Sequence, residues 1–380
     1  IKVKKTIIED FDKSFFPLDP IVPFLGVVHD RITLEIFRGC TRGCRFCQAG
    51  FTYRPVRERK SDTLVKQALA IEKATGYDEV SLCSLSTSDY TEINPLINNL
   101  MDEFEDKRVN VSLPSLRLDT VFEDYSKRLA SVRKSGLTFA PEAGSQRLRD
   151  IINKNVTEQD LFRTMEQVFS QGYTSVKLYF MIGLPFETYE DLDGIVELVK
   201  EVKSIYGIAG KNNPRKLMLT LSTSNFVPKP FTPFQWIPQD SIKALEEKQI
   251  YLKYRLKMKG VRFNYHNATL SSLEAMFARG DRKLSKVILK AVENGAKFDS
   301  WSEYFNYENY SKAFESLGIN PAEYANREYD TAEALFWDHI DCGVKKEFFA
   351  DELKKSKNIE LTNDCRASCS ACGLEEVCFK

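Results

Sequence analysis

From about residue 31 to residue 235, short apolar runs alternate with longer amphipathic ones. Arg31 to Phe37, Glu79 to Leu85, Val109 to Leu113, Gly136 to Ala140, Ser175 to Ile182 and Leu217 to Thr223 have the length and composition of strands, several apolar enough to be buried on both faces. Between them apolar residues recur at helical spacing: Leu64, Ala68 and Ile71; Leu96, Leu100 and Phe104; Val121, Tyr125, Leu129 and Val132. Two later helices open with capping boxes, Thr157 with Asp160 and Thr188 with Asp191. Strands joined by helical crossovers make a parallel sheet. Six βα units are too few for an eight-stranded barrel. The pattern therefore predicts an α/β fold, an open or partial TIM barrel with its site at the C-terminal ends of the strands.

After Pro238 the pattern turns helical, beginning with Ser241 to Gly260 and continuing past a short strand near Val261 to Tyr265. Residues 298 to 337 hold eleven aromatics, read as core packing ahead of a base-stacking surface. From Asp341 onward the tail is cysteine-rich and poor in large apolar side chains, so a metal or cluster must hold it together. The expected divisions are an N-terminal extension over 1–30, a barrel over 31–238, a helical aromatic-rich region over 239–340 and a metal-binding tail over 341–380.

Composition narrows the classes. The 54 basic and 54 acidic residues cancel, so bulk charge does not hold this chain to nucleic acid and any such contact is a local patch. Apolar stretches such as Leu178 to Pro185 fall far short of the roughly 18–20 residues of a membrane span, and no signal-peptide pattern opens the chain. A cytoplasmic protein without membrane contact is expected. Because the first residue is Ile1, an upstream domain is expected as well. Seven of the nine cysteines fall in two tight groups, which points to metal or redox chemistry rather than a disulfide framework.

The first group, Cys40, Cys44 and Cys47, forms CxxxCxxC directly after the first strand. A zinc ribbon offers two CxxC knuckles, whereas three thiolates on one glycine-bearing loop suit a cubane iron–sulfur cluster with one iron left open. With Phe46 before the last cysteine and the βα context around it, the segment resembles the radical S-adenosylmethionine (radical SAM) superfamily, whose SAM domain is shared by methylthiotransferases and elongator-type enzymes. The resemblance covers about residues 31 to 235. It implies that Cys40, Cys44 and Cys47 ligate three irons of a catalytic [4Fe–4S] cluster, that SAM chelates the fourth, and that one electron cleaves SAM to a 5′-deoxyadenosyl radical. It further implies cofactor contacts from Phe46, from Ser86, Thr87 and Ser88 in place of a Gly-Gly-Glu-like loop, and from Glu142 at the ribose. Lys154 is implied at the SAM carboxylate and Tyr179 on the fifth strand. Phe226 to Phe234 resembles the loop that covers the adenine, and Ser115 and Arg117 leave the third strand toward the site.

Between Arg38 and Lys60 stand seven basic residues and one acid, Glu58. Part of this field stabilises an anionic cluster; the remainder reads as a receiver for a phosphate-bearing substrate such as RNA.

Cys365, Cys369 and Cys372 repeat the CxxxCxxC spacing, with Cys378 beyond and Cys342 before as a reserve ligand. They resemble the auxiliary-cluster tails of some radical SAM enzymes. A structural zinc site folds such a tail equally well. Cys83 reads as a buried core thiol, His29 as a loop or core residue, and Arg279-Gly280-Asp281 as a turn.

The phrases Val28-His-Asp-Arg31, Leu113-Pro-Ser-Leu-Arg117, Leu137-Thr-Phe-Ala-Pro-Glu142 and Lys177-Leu-Tyr-Phe-Met181 look like a radical SAM family often fused to an N-terminal cobalamin-binding domain. That implies methyl or methylthio transfer, or a related radical modification, with cobalamin in an upstream part and a flavodoxin or ferredoxin as reductant. The leading expectation is an enzyme acting on RNA or ribosomal protein. The alternatives are cobalamin-dependent methylation in small-molecule biosynthesis and a non-enzymatic, zinc-bearing RNA-binding or assembly factor.

Overall fold

The structure is a computed structural model and describes residues 1–113, 117–118, 137–211 and 213–378. Ser115, the helix pattern Val121, Tyr125, Leu129 and Val132, and Gly136 lie outside the described residues. Strands Ile32–Glu35, Glu79–Cys83 and Asn110–Ser112 form one parallel sheet in chain order, with Leu34 opposite Leu82. Leu137–Glu142, Ser175–Ile182, Met218–Asn225 and Val261–Tyr265 form a second parallel sheet, with Leu178 opposite Leu221.

The strand count corrects the sequence expectation. Val261–Tyr265 is a seventh parallel strand, paired with Met218–Asn225 after the crossover helix Ile242–Arg255. Its residues are half-buried or exposed, as suits an edge strand, so the short strand expected there was placed outside the barrel.

A second correction concerns the faces of the sheet. Ile32, Leu34, Val80, Leu82 and Val111 pack under Leu64, Ala68, Ile71, Leu96, Leu100 and Phe104 of helices Ser61–Thr75 and Ile93–Phe104. The alternate residues are small or polar, and Thr33 and Cys83 are exposed. The large apolar side chains of these strands thus lie on one face only. Cys83 pairs in register with Glu35 on the polar inner face and is no core thiol. In the fifth strand Val176, Leu178, Phe180 and Ile182 are buried, whereas Lys177, Tyr179 and Met181 are not.

Both capping boxes form. The second one also fixes the loop after the fourth strand. Asp191 accepts hydrogen bonds from the Thr188 backbone N–H and from Ser145, and pairs with Arg147. Gly144 and Gly194 let this loop meet helix Tyr189–Ala209 backbone to backbone: a Cβ at Gly144 would lie 2.1 Å from the Asp191 carbonyl oxygen.

The C-terminal helices Ala268–Arg279, Leu284–Glu293 and Tyr307–Leu317 close over a cluster of their own. The aromatic-rich stretch divides: Phe314, Tyr329 and Trp337 are buried, and Phe298, Trp301 and Tyr304 are exposed. Arg279 is wholly buried, donating to the carbonyls of Ile237, Ala325 and Arg327 beneath the Tyr329 ring, so the expected turn begins from a core arginine. The tail packs on the barrel. Cys342, Phe348, Phe349, Leu353, Cys372 and Leu374 share one hydrophobic cluster with Phe51, Leu148 and Trp236. Val3–Lys4 pairs with Ile340–Asp341, joining the N-terminal segment to the tail. Among the described residues no helix is long and apolar enough to cross a membrane.

Candidate active site

The cysteine loop owes its path to two glycines and a helix start. Gly39 has φ +100°, and a Cβ there would lie 2.7 Å from the Pro55 carbonyl oxygen; Gly43 has φ +79°. Cys47 caps the short helix Gln48–Thr52, its Sγ accepting from the Gly50 N–H at 3.4 Å. The Arg45 N–H to Ile152 carbonyl bond, 2.9 Å, ties the loop to helix Gln146–Ile151.

Cys40, Cys44 and Cys47 line one cavity of about 330 Å³ together with Phe46, Leu85, Ser86, Arg117, Thr138, Phe139, Ala140, Glu142, Lys154 and Tyr179. Six of the eight expected cofactor residues therefore share a wall with the three thiols. Thr87 and Ser88 do not: Thr87 is fully buried beside the Ser84 hydroxyl, and Ser88 Oγ accepts from the Arg117 N–H at 3.3 Å. They shape the loop while Ser86 borders the cavity.

Glu142 reaches the cavity through a break in the strand. The ladder to the fifth strand shifts register between Phe139 and Glu142, and Glu142 sits at φ +69°. A non-glycine residue there costs about 1 kcal/mol or more, and such strain gathers at functional sites. Lys154 Nζ donates to Glu142 Oε1 at 3.0 Å. Burial works to lower the Lys154 pKa, but Glu142 and then Cys44 outweigh it, and the ammonium is held above its ordinary value. The cavity thus offers a carboxylate for hydroxyls and an ammonium for a carboxylate, side by side.

The thiols fit the positive iron–sulfur core of a cluster. Burial pushes the Cys47 thiol up to about 12, with the charge of Cys44 adding to it, and burial likewise raises Cys40. Bare thiolates are costly to pack together, and iron removes that cost. Among the described residues no three Cys, His, Asp or Glu side chains gather around a single point as one metal ion requires; the thiols line cavity walls instead.

The aromatic loop Phe226 to Phe234 differs from expectation. Phe226 and Phe234 are core residues in edge contact at 6.0 Å, and no residue of the loop lines the cavity. The basic segment differs too. Arg45, Arg54 and Arg59 are buried. Arg38 pairs with Glu35, Arg42 with Asp89 and Asp364, and Arg57 donates to the carbonyls of Pro55 and Tyr53. Six of the seven cations are committed within the protein and only Lys60 is exposed, so this segment is no open phosphate receiver. Summed charge in the sequence does not show which arginines fold inward.

At the second group, Cys365, Cys369, Cys372 and Cys378 border a separate cavity of about 320 Å³. Cys342 lies elsewhere, buried at the wall of a third cavity with Gly343 and Leu374. His29 is exposed, its Nδ1 3.0 Å from Arg31. Sequence reasoning missed Asp89, Asp364 and Arg366. Arg42 and Arg366 both pair with Asp89 and Asp364, two cations and two anions between the cysteine loop and the tail. Burial opposes ionisation of Asp364, yet Arg366 and Thr41 hold its carboxyl at about 2. Asp89 directly follows Ser86 to Ser88 and was the one local signal available.

The sequence profile of the radical SAM superfamily matches residues 34–199. An uncharacterized protein of Methanocaldococcus jannaschii is 35% identical over 318 residues, which cover 84% of this chain and 67% of that protein. The chain belongs to the radical SAM superfamily. Radical SAM membership implies a [4Fe–4S] cluster and SAM, and makes the protein an enzyme. A tRNA-2-methylthio-N(6)-dimethylallyladenosine synthase of Thermodesulfovibrio yellowstonii is 26% identical over 195 residues, 48% of this chain and 43% of that one, so the chain spans less than half of this relative. Among solved structures, the chain is similar to the radical SAM methyltransferase TsrM from Kitasatospora setae with cobalamin and [4Fe–4S] cluster bound. The TM-score is 0.43 and the identity 14%, over 54% of this chain and 38% of that one. It is also similar to the cobalamin-dependent SAM radical enzyme OxsB, at TM-score 0.40 and 12% identity over 87% of this chain and 53% of that one.

Proposed function

We propose that this radical SAM enzyme binds its [4Fe–4S] cluster through Cys40, Cys44 and Cys47 and holds SAM between that cluster and the Glu142–Lys154 pair. The observation that carries this is the single cavity bordered by the three thiols, Glu142 and Lys154. When bound, the cluster supplies one electron to break the sulfonium C–S bond of SAM. The chain orients the cofactor: Glu142 accepts from the ribose hydroxyls, Lys154 meets the SAM carboxylate, and Phe46, Ser86, Arg117 and Tyr179 close the walls against water.

The substrate is a macromolecule, with RNA first, and the product is a methylated or methylthiolated site. Similarity to a tRNA methylthio-transfer enzyme supports this. A small-molecule substrate, methylated with cobalamin, is the second reading, favoured by the internal neutralisation of the arginines around the cluster.

Anaerobic reconstitution followed by chemical reduction tests the core of the proposal. SAM should yield 5′-deoxyadenosine and methionine with the natural chain and none with Cys44→Ala. Zinc uptake with no SAM turnover would sink it. Comparing modified nucleosides in tRNA from cells with and without the enzyme separates the two substrate readings.

A further inference from the structure

The arginines around the first cysteines are spent inside the protein, so an RNA substrate must be gripped elsewhere. The exposed aromatics of the C-terminal helical region supply such a place. Phe298, Trp301 and Tyr304 stand 68%, 60% and 58% exposed on the loop that follows helix Leu284–Glu293. Two linked turns set their spacing: the Trp301 N–H bonds to the Phe298 carbonyl at 2.9 Å, and the Tyr304 N–H to the Trp301 carbonyl at 3.0 Å. The rings of Phe298 and Tyr304 lie 5.9 Å apart. Asp299 and Phe305 pin this loop to the core, where Tyr310 donates to Asp299 at 2.7 Å and its ring packs on Phe305 and Phe277.

Phe298 is the second observation. Its φ is +56°, a conformation that strains a bulky residue, and its exposed ring recovers nothing from the core. A strained apolar side chain held out in water suits a docking platform. Charge points to the occupant. Arg282 and Lys286 at the start of the helix, and Lys297 beside Phe298, form no ion pair among the described residues. Asp299 is spent on Tyr310, which leaves Glu303 as the exposed acid of the loop. Leu289 and Val292, exposed on the same helix, suit a protein surface as well, yet lysine is depleted from such contacts. Free cations beside exposed rings are the composition of a single-strand nucleic-acid groove.

We propose that Phe298, Trp301 and Tyr304 form a stacking platform for single-stranded RNA, with Arg282, Lys286 and Lys297 meeting its phosphates. The surface holds the substrate and takes no part in the chemistry at Cys40, Cys44 and Cys47. Because every base presents a π-face, the platform grips without reading sequence, and the reaction cavity is left to choose the modified position. The proposal rests on the reading of RNA as the substrate.

Tryptophan fluorescence of the reconstituted full chain tests it. Of the three tryptophans, Trp236 and Trp337 are buried and Trp301 is exposed, so a base stacked on the loop reports through Trp301. An oligouridylate of about twelve nucleotides should quench that emission. Trp301→Ala should bind the fluorescein-labelled oligonucleotide roughly fivefold to a hundredfold more weakly, and Trp301→Phe should keep the affinity while losing the quench. Lys286→Gln/Lys297→Gln should make the logarithmic salt dependence of binding shallower by about 1.4. Equal affinity of the natural chain and Trp301→Ala would overturn the surface and leave RNA as the substrate. No binding of oligouridylate or of bulk tRNA by the natural chain would overturn both. Self-association of the natural chain, lost in Trp301→Ala and without any response to RNA, would overturn it in favour of a contact between proteins.

Discussion

The guanidinium of Arg45 donates to the carboxylate of Glu352 at 3.1 Å with both side chains sealed from solvent, at 0% and 2% exposure. Arg45 belongs to the cysteine loop and Glu352 to the tail helix Lys346–Lys357. The same guanidinium donates to the carbonyls of Ile151 and Glu360, at 2.9 and 2.7 Å, so one side chain binds loop, barrel and tail. Breaking such a pair from one side strands the other charge. Arg45→Met is expected to cost about 3 kcal/mol in chemical unfolding, and Arg45→Met/Glu352→Leu clearly less than the sum of the single changes.

The same contact predicts an acid response. Burial opposes ionisation of Glu352, but Lys355, Thr362 and Arg45 outweigh it and hold its pKa below 4.5. A depressed carboxyl contributes stability that is present above 4.5 and lost as the pH falls through the lowered folded value. Unfolding free energy should therefore drop on acidification in the natural chain, with a shallower slope in Glu352→Gln. Equal slopes would exclude this carboxylate as a source of the pH dependence.

Gly194 and Gly144 set the position of Glu142. A Cβ at Gly194 would lie 2.6 Å from the Gly144 carbonyl oxygen, so Gly194→Ala must part the helix from the loop. A loss of about 1–3 kcal/mol in thermal unfolding is expected. Weaker SAM binding by calorimetry, with unchanged iron content, should accompany it.

Glu142→Ala should weaken SAM binding by roughly tenfold to a hundredfold, the worth of a hydrogen bond to a charged group. Iron content should stay at the natural value. Loss of iron in this variant would show that Glu142 supports the loop and not the cofactor.

Cys342 and Cys378 should part company in metal analysis. Cys342 packs in the hydrophobic cluster and does not border the tail cavity, so Cys342→Ala is expected to leave metal content intact. Cys378→Ala should lower it.

Local chemistry was readable without tertiary information. The spacing of Cys40, Cys44 and Cys47, the glycines beside them and the two capping boxes depend on neighbours a few residues away, and such patterns survive in a linear reading. The strands were legible because their apolar faces repeat at a fixed period. Val261–Tyr265 was not read as part of the barrel, because an edge strand keeps polar residues. Cys83 was misplaced because a strand with a polar inner face and one buried on both sides share apolar residues, and only the partner across the ladder tells them apart.

The family and the chemistry of the first cysteine group were thus written in the chain itself. Which charges are spent and which remain was decided by contacts hundreds of residues apart in sequence: Arg45 with Glu352, Arg42 with Asp364, and Thr41 with Cys365. Charges sum along a sequence, but they pair in space. That pairing turned an apparent phosphate-binding segment into the seam between loop and tail, and it brought the second cysteine group against Cys40.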